Sequence, residues 1–450
     1  MAYTTIDDPT IYFNTLLYTG NSTARSLTGV GFQPDWVWIK SRSNTYHHQL
    51  YDSVRGATKG LNSNRTNSEE TRSGLTSFGS DGFSLGTAGR ENNNGDTKVA
   101  WNWLAGGTAP SQTYTVKVVS DSGNKYRFDD FGTSAVTLDL QEGGTYTFDQ
   151  SDSSNSGHPL RFSTTSNGTH GGGSEYTTGV TTTGTPGSSG AKTVITVAAS
   201  APTLYYYCTQ HSGMGGQANT NSTFGSSNFS GSFQSTVSAN TTAGFSIVSF
   251  NGQTGTVGHA LGIKPSMIIL KCREIANNWV IQHKGLTGGM DSNALIFTNS
   301  AELSAPTAEP TTSVFTVNNQ IAENNDNIAY IFADVKGYSK FGQYEGNANA
   351  DGTFIHTGFL PAWVMVKNID AAENWIIFDN KRPGYNLTDA LLKPNLSNAE
   401  STSGVKFDLL SNGFKARVSD AEGNSSNTFI YMAFAESPFV NSKGVPNNAR

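Results

Sequence analysis

The segment GFQPDWVWIK, Gly31 to Lys40, returns as GIKPSMIILK, Gly262 to Lys271, and again as GFLPAWVMVK, Gly358 to Lys367, with glycine, proline and lysine in register each time. A chain that repeats itself in this way folds as repeated units, which limits its architecture before composition is considered. An aromatic residue and a Gly/Asn turn precede each copy, at Tyr18 to Asn21, Phe250 to Gly252 and Tyr344 to Asn347. HQLYD (His48 to Asp52), WVIQH (Trp279 to His283) and WIIFD (Trp375 to Asp379) follow, and later SDGFSLG (Ser80 to Gly86), SVFTV (Ser313 to Val317) and SNGFKARV (Ser411 to Val418). Each unit closes on an aromatic stretch: VAWNWLA (Val99 to Ala105), AYIFADV (Ala329 to Val335) and IYMAFAE (Ile430 to Glu436).

Within a copy the apolar residues alternate or form short Val, Ile, Trp and Phe runs bounded by Gly, Asn and Asp, the signature of strands and not of a 3.6-residue period. Proline ahead of each run sits at a strand entry, where a missing N–H is tolerated. The pattern predicts an all-β chain of tandem β-sandwich modules, jelly-roll or lectin-like, with tryptophans facing the core. The expected divisions are 1–107, 240–336 and 337–450 for the three copies, 111–220 for an insertion, and 221–239 for a linker. The insertion opens with GGTAPSQ and closes with GGQANTNSTFGSSNFSGS, both of linker composition.

Composition supports the same class: 49 glycines in 450 residues favour short strands and tight turns, and a charged fraction of 14% leaves a neutral, amide- and hydroxyl-rich exterior. A net charge of -6 with no Lys/Arg block gives no footprint for nucleic acid. No apolar stretch reaches the roughly 20 residues that span a bilayer, so membrane insertion is not expected. The start MAYTTIDDPT lacks a signal-peptide pattern, and synthesis in a cytosol is expected. Cys208 and Cys272 fall in different modules and predict neither a disulfide framework nor a CxxC zinc site.

The insertion carries the chemistry. Tyr114 to Val119, Ala135 to Leu140, Thr145 to Gln150, Leu160 to Thr164, Lys192 to Val197 and Leu204 to Cys208 alternate like sandwich strands, and SNSGHP and YYYCTQHSGMGG place His158, Cys208, His211 and Met214 beside them. One thiolate, two imidazoles and one thioether are what a mononuclear copper site uses: soft sulfur suits Cu(I), imidazole suits both oxidation states, and a weak axial Met tunes the potential. The pattern resembles type 1 copper proteins of the cupredoxin family, and the short C-x2-H-x2-M spacing is similar to that of amicyanin-like members. The resemblance implies a Greek-key sandwich in which His158 is the early ligand, Cys208 the thiolate, His211 the second imidazole and Met214 the axial ligand, with copper as cofactor.

Other chemical signals read as structure. GFSLG, Gly82 to Gly86, matches G-x-S-x-G but lies in a repeated strand with no helix predicted after it, and copy 3 has Lys415 where Ser84 aligns. GSSGAKT, Gly187 to Thr193, has Ala191 where a phosphate loop needs Lys. His47 and His48 point to opposite faces of a strand, and Asp52–Arg55 and Asp379–Arg382 read as turn salt bridges. No catalytic residue is named, and the chain is expected not to be an enzyme.

The repeated GFxPxWVxxK module resembles β modules of tail-fibre and other virion proteins of marine bacteriophages, cyanophages in particular, with copy 1 closest over residues 28–106. That resemblance implies a virion structural protein, a tail-fibre or attachment component or a head decoration, assembled in a host cytoplasm and exposed on the particle. Other virion proteins, a homo-oligomer (a trimer by analogy) and a host-surface glycan or protein are the partners it implies. A copper electron-transfer or sequestering protein and a carbohydrate-binding adhesin are the alternatives.

Overall fold

A computed structural model describes residues 3–221 and 223–447. The chain is built mainly of strands in mostly antiparallel sheets, with one four-residue α-helix, Gly89–Asn92, and three short 3-10 turns among the described residues.

Each of the three related stretches forms a sheet with the same strand order at its centre. In the first, Phe13–Thr19 pairs with Thr97–Trp103, which pairs with Trp36–Ser41, which pairs with Gln49–Asp52. The second runs Phe245–Gly252, Asn325–Phe332, Met267–Cys272, Val280–His283, and the third Ser339–Glu345, Thr428–Pro438, Phe359–Asn368, Ile376–Asp379. Register agrees as well as order. Trp36 stands opposite Trp103 and Asp52, Met267 opposite Phe332 and His283, and Trp363 opposite Phe434 and Asp379.

Period two sorts each sheet into two faces, and both are buried. One face packs on a small sheet of its own module: Val37, Ile39, Tyr51 and Ala100 meet Leu75, Phe83 and Leu85. The other carries the tryptophans, and all seven are buried. The expected all-β, sandwich-like modules are present, and beyond that expectation they share a core. The core that the tryptophans face is one cluster drawn from all three modules. Trp36 stacks on Tyr330 at 4.4 Å, Trp103 meets Trp363 edge-on at 5.6 Å, and Phe332 meets Phe434 at 5.9 Å, one aromatic contact for each pair of modules. A four-stranded sheet with a small sheet on one side leaves its second apolar face open. Three such faces closing on one another remove it from water at about 25 cal/mol per Å².

Polar contacts close the ring in one direction. Asp52 of module 1 accepts from Tyr330 Oη of module 2 at 2.7 Å, His283 of module 2 donates to Tyr431 O of module 3 at 3.1 Å, and Asp379 of module 3 accepts from Trp101 Nε1 of module 1 at 2.9 Å. Asp52, His283 and Asp379 occupy equivalent register positions, as do Tyr330 and Trp101, with Tyr431 one residue from the equivalent Met432, so the arrangement is quasi-threefold within one chain.

The motif lysines Lys40, Lys271 and Lys367 are fully buried. Two amines cap carbonyls at their own strand ends, Lys40 Nζ donating to Ser41 O at 2.7 Å and Lys367 Nζ to Asn368 O, while Lys271 Nζ donates to Thr66 O in a module 1 loop at 3.1 Å. Burial pushes them down to about 7, about 8 and about 8, respectively. The folded protein therefore holds fewer protons than the unfolded chain between those values and the ordinary lysine range. Stability should rise with pH from about 8 to about 10 and be lost as pH falls through the folded values. Lys271→Met should flatten that slope by at most about 1.4 kcal/mol per pH unit, read from urea unfolding at each pH. An unchanged slope would place the ammonium in water.

The insertion is a two-sheet sandwich of strands from Ser111–Ser120 to Gly216–Asn221. One sheet orders Asn124–Phe128, Ser111–Ser120, Thr145–Asp149, Lys192–Thr196, Val180–Thr183; the other orders Leu138–Gln141, Gly216–Asn221, Leu204–Cys208, Leu160–Ser163. Ser111–Ser120 with Thr145–Asp149, and Leu138–Gln141 with Gly216–Asn221, are parallel pairs. The expected linker 221–239 needs correcting. Ser226–Asn228 and Ser235–Asn240 add two strands at one edge of the module 2 sheet, which with Asn293–Ile296 and Leu303–Ser304 at the other edge has eight, and Phe229 buries its ring in the core of the insertion. Small Ser and Gly residues read as linker composition, yet here they let backbones approach. Gly225 N donates to Gln141 Oε1 at 2.8 Å, and Tyr114 Oη donates to Ser227 O at 2.8 Å.

Candidate metal centre

His158, Cys208 and His211 come together at one end of the inserted sandwich. Leu160 pairs with Cys208 across two antiparallel strands, which sets the chain just before Leu160 beside the chain just after Cys208. The Nδ1 atoms of His158 and His211 each lie 3.8 Å from Cys208 Sγ, and the two imidazole rings are 4.6 Å apart. Among the described residues this is the cluster of three or more His, Cys, Asp and Glu donors whose ligand atoms all fall within 4.8 Å of one another. At bond lengths usual for thiolate and imidazole ligands, about 2.3 and 2.0 Å, an angle of about 120° at a shared metal separates sulfur from nitrogen by about 3.7 Å. The donor spacing therefore fits one small metal ion.

Neighbouring residues hold the candidate ligands His158 and Met214. The His158 carbonyl accepts from Tyr126 Oη at 2.8 Å and from Gln150 Nε2 at 2.9 Å, while its N–H donates to Asn155 O at 2.8 Å. Burial, and next the adjacent His211, lower the pKa of His158, which favours the neutral ring that a metal needs. Cys208 is fully buried, whereas His211 is exposed, so the site is shielded at sulfur and open at one imidazole. Met214 is buried in the same core cluster as Cys208, and its carbonyl accepts from Tyr126 N at 3.0 Å. A Cβ on Gly215 would stand 1.7 Å from the Tyr206 carbonyl oxygen, so the turn out of Met214 requires glycine.

Sequence reasoning missed the residues that buttress this loop. The Gly/Thr-rich stretch after His158 contains a 3-10 turn, Gly168–Gly171, lying against the ligand loop. Asn167 Nδ2 donates to Ser212 Oγ at 2.8 Å, Asn167 Oδ1 accepts from Gly213 N at 2.8 Å, and His170 Nε2 donates to Cys208 O at 3.1 Å. Gly168 has φ +56°, and a Cβ there would lie 2.4 Å from the Tyr207 ring. That glycine between a buttressing Asn and His was the available signal.

The catalytic lookalikes stay apart from this site. Ser84 Oγ meets Ser26 Oγ at 2.9 Å on a strand pair, although the one-turn helix Gly89–Asn92, not expected from the sequence, does follow GFSLG. His48 is buried, taking Trp38 Nε1 on Nδ1 at 2.8 Å and donating from Nε2 to Lys393 O at 3.0 Å. The Asp–Arg pairs are fully buried and sit between modules, deeper than the turn salt bridges expected of them.

Neither curated proteins nor solved structures give a match. A family described only as a domain of unknown function, DUF7483, matches residues 8–127 and 216–438. That match passes over 128–215, the stretch with all four candidate ligands, so the metal centre is argued from this chain's own geometry. With most of its length matched, and all three repeated modules inside the match, the chain belongs to the DUF7483 family.

Proposed function

We propose that this chain is a non-catalytic structural protein of a bacteriophage particle, a tail-fibre or attachment component or a head decoration, whose inserted sandwich holds one copper ion. The observation that carries the metal reading is the approach of two Nδ1 atoms to Cys208 Sγ at 3.8 Å each. Support for the particle reading comes from the resemblance of the repeated module to virion β modules. It comes also from an architecture in which three sheets of the same central strand order are locked face to face, which suits holding and touching more than turnover.

In the copper reading, Cys208 supplies a water-shielded thiolate and His158 an imidazole fixed by three hydrogen bonds to its backbone. Met214, buried in the same core as Cys208, is the thioether, and exposed His211 is the side from which an ion or a partner reaches the site. Copper so held supplies one-electron chemistry at a potential tuned by the surrounding sulfur and polarity. That exposure of His211 also favours the second reading, a copper electron-transfer or sequestering protein in which the three modules serve as an anchor.

Cu(II) added to the purified full chain should give intense thiolate-to-copper absorption near about 600 nm, and His211→Ala should abolish it without changing the unfolding midpoint. No colour, with less than about one-tenth equivalent of copper retained after dialysis, removes the metal reading. The particle reading is tested separately by mass spectrometry of purified particles from the source phage: absence of the chain from them removes it.

A further inference from the structure

At one end of the shared core, three loops meet in a ring. Each follows the fourth strand of its sheet and returns beside it: Leu61 bonds back to Leu50, Leu295 pairs with Ile281, and Leu392 bridges Ile377. The next carbonyl in each loop takes a ring N–H from the neighbouring module. Trp279 Nε1 donates to Asn62 O at 2.8 Å, Trp375 Nε1 to Ile296 O at 3.0 Å, and His48 Nε2 to Lys393 O at 3.0 Å. The ring is therefore fastened from every module to the next, and its centre is preformed.

That centre is a cleft of about 520 Å³, within the roughly 300–1,000 Å³ usual for small-molecule sites. Its lining draws on all three modules, with Arg65 and Asn67 from the first, Asn278 and Asn299 from the second, and Asn374 and Asn395 from the third. At its base are the largely buried rings of Trp279 and Phe297.

The lining chemistry selects a ligand class. No carboxylate lines the cleft, which argues against a divalent cation as occupant. Its single guanidinium, Arg65, has Glu70 at 3.9 Å, so no unbalanced positive field favours a polyanion. What remains is amide. Asn395 and Asn64 are committed to backbone N–H groups, of Trp375 and His48, respectively. By contrast, the side-chain amides of Asn67, Asn278 and Asn299 make no hydrogen bond to any described residue. Each free amide offers a donor and an acceptor side by side. Vicinal hydroxyls on a pyranose ring present the complementary pairs, and the ring's C–H face matches an aromatic base.

We infer that this inter-module cleft is a binding site for a neutral saccharide, taking one sugar residue between the free amides of Asn67, Asn278 and Asn299. The inference goes beyond the copper and particle readings and depends on neither. All three modules contribute to the lining, so the site exists only because they close on one another.

Saturation-transfer NMR on the full chain tests it, with methyl α-glucoside, methyl α-mannoside, methyl β-galactoside and N-acetylglucosamine as probes, each at about 10 mM to reach weak affinities. At least one probe should show transfer, and Asn278→Leu or Asn299→Leu should raise its Kd by about tenfold or more. Both positions are exposed, so the unfolding midpoint should hold. Tyr385→Ala, at the most exposed aromatic residue and away from this ring, should leave the response unchanged. No transfer from any of the four sugars overturns the inference. So does transfer that survives the Asn278→Leu/Asn299→Leu double variant, or that is lost in Tyr385→Ala alone.

Discussion

Trp36→Ala should destabilise the three modules together, by about 3–5 kcal/mol, in one transition. The ring is fully buried and touches aromatic rings of two modules: Trp103 at 4.5 Å and Trp38 at 5.6 Å from its own, Tyr330 at 4.4 Å and Phe332 at 5.9 Å from the second. Removing it opens a void where the sheets meet, and these neighbours cannot collapse into it without shifting their own strands. Hydrogen exchange followed by mass spectrometry reads the outcome: protection should fall in Asn325–Phe332 and Thr428–Pro438 as well as in Trp36–Ser41. Protection lost from module 1 alone would mean that the modules fold independently and the shared core contributes little. Trp36→Phe should cost much less, since it keeps most of the volume and removes an indole N–H that has no hydrogen-bond partner.

Arg55→Ala should cost about 3–5 kcal/mol, and the double variant Asp52→Asn/Arg55→Met distinctly less. Both side chains are fully buried in an ion pair, and the guanidinium also donates to Lys59 O at 2.8 Å, Leu50 O at 3.1 Å and Tyr330 Oη at 3.2 Å. Burial works against the charge, but Asp52, Tyr330 and Glu69 outweigh it and hold the Arg55 pKa above its usual value. Without Arg55, the Asp52 carboxylate stays between modules 1 and 2 with no cation against it. Urea unfolding of both single variants and the double variant gives the coupling. A double variant no more stable than Arg55→Ala would show that the stranded charge is not the cause.

The three junctions are equivalent in register but not in chemistry. Arg273 reaches Glu69 between modules 2 and 1, and Arg42 reaches Glu400 between modules 1 and 3. Between modules 2 and 3, register places Leu286 where Arg55 stands and Ile369 where Arg42 stands, and both belong to the shared core. The backbone link survives the change: Glu69 N, Glu302 N and Glu400 N donate to the carbonyls of Arg273, Ile369 and Arg42, respectively. Closure is thus built on sheet geometry and apolar burial, with the ion pairs set within it.

Much of this was legible in the residues. The short apolar runs in WVWIK, MIILK and WVMVK marked strands, and the recurrence of Gly, Pro and Lys marked three units of one kind. The spacing from Cys208 to His211 and Met214 put three candidate ligands in one short loop, His158 was named from SNSGHP, and the strand register of Leu160 with Cys208 is what brings it beside them. The role of Asn167 and His170 was hidden, because a Gly/Thr-rich loop carries no periodicity from which its path can be read.

What the sequence by itself determined is which side chains leave water, since period two in the backbone assigns every residue of a strand to one face or the other. What they meet there was decided only by the tertiary structure. A tryptophan is equally buried against its own module or against two others, and a serine-rich stretch is equally compatible with a tether or a strand at a sheet's edge. Burial along a strand is a local property of the chain, whereas the partner face is chosen by how three half-covered sheets can close with no apolar surface left over.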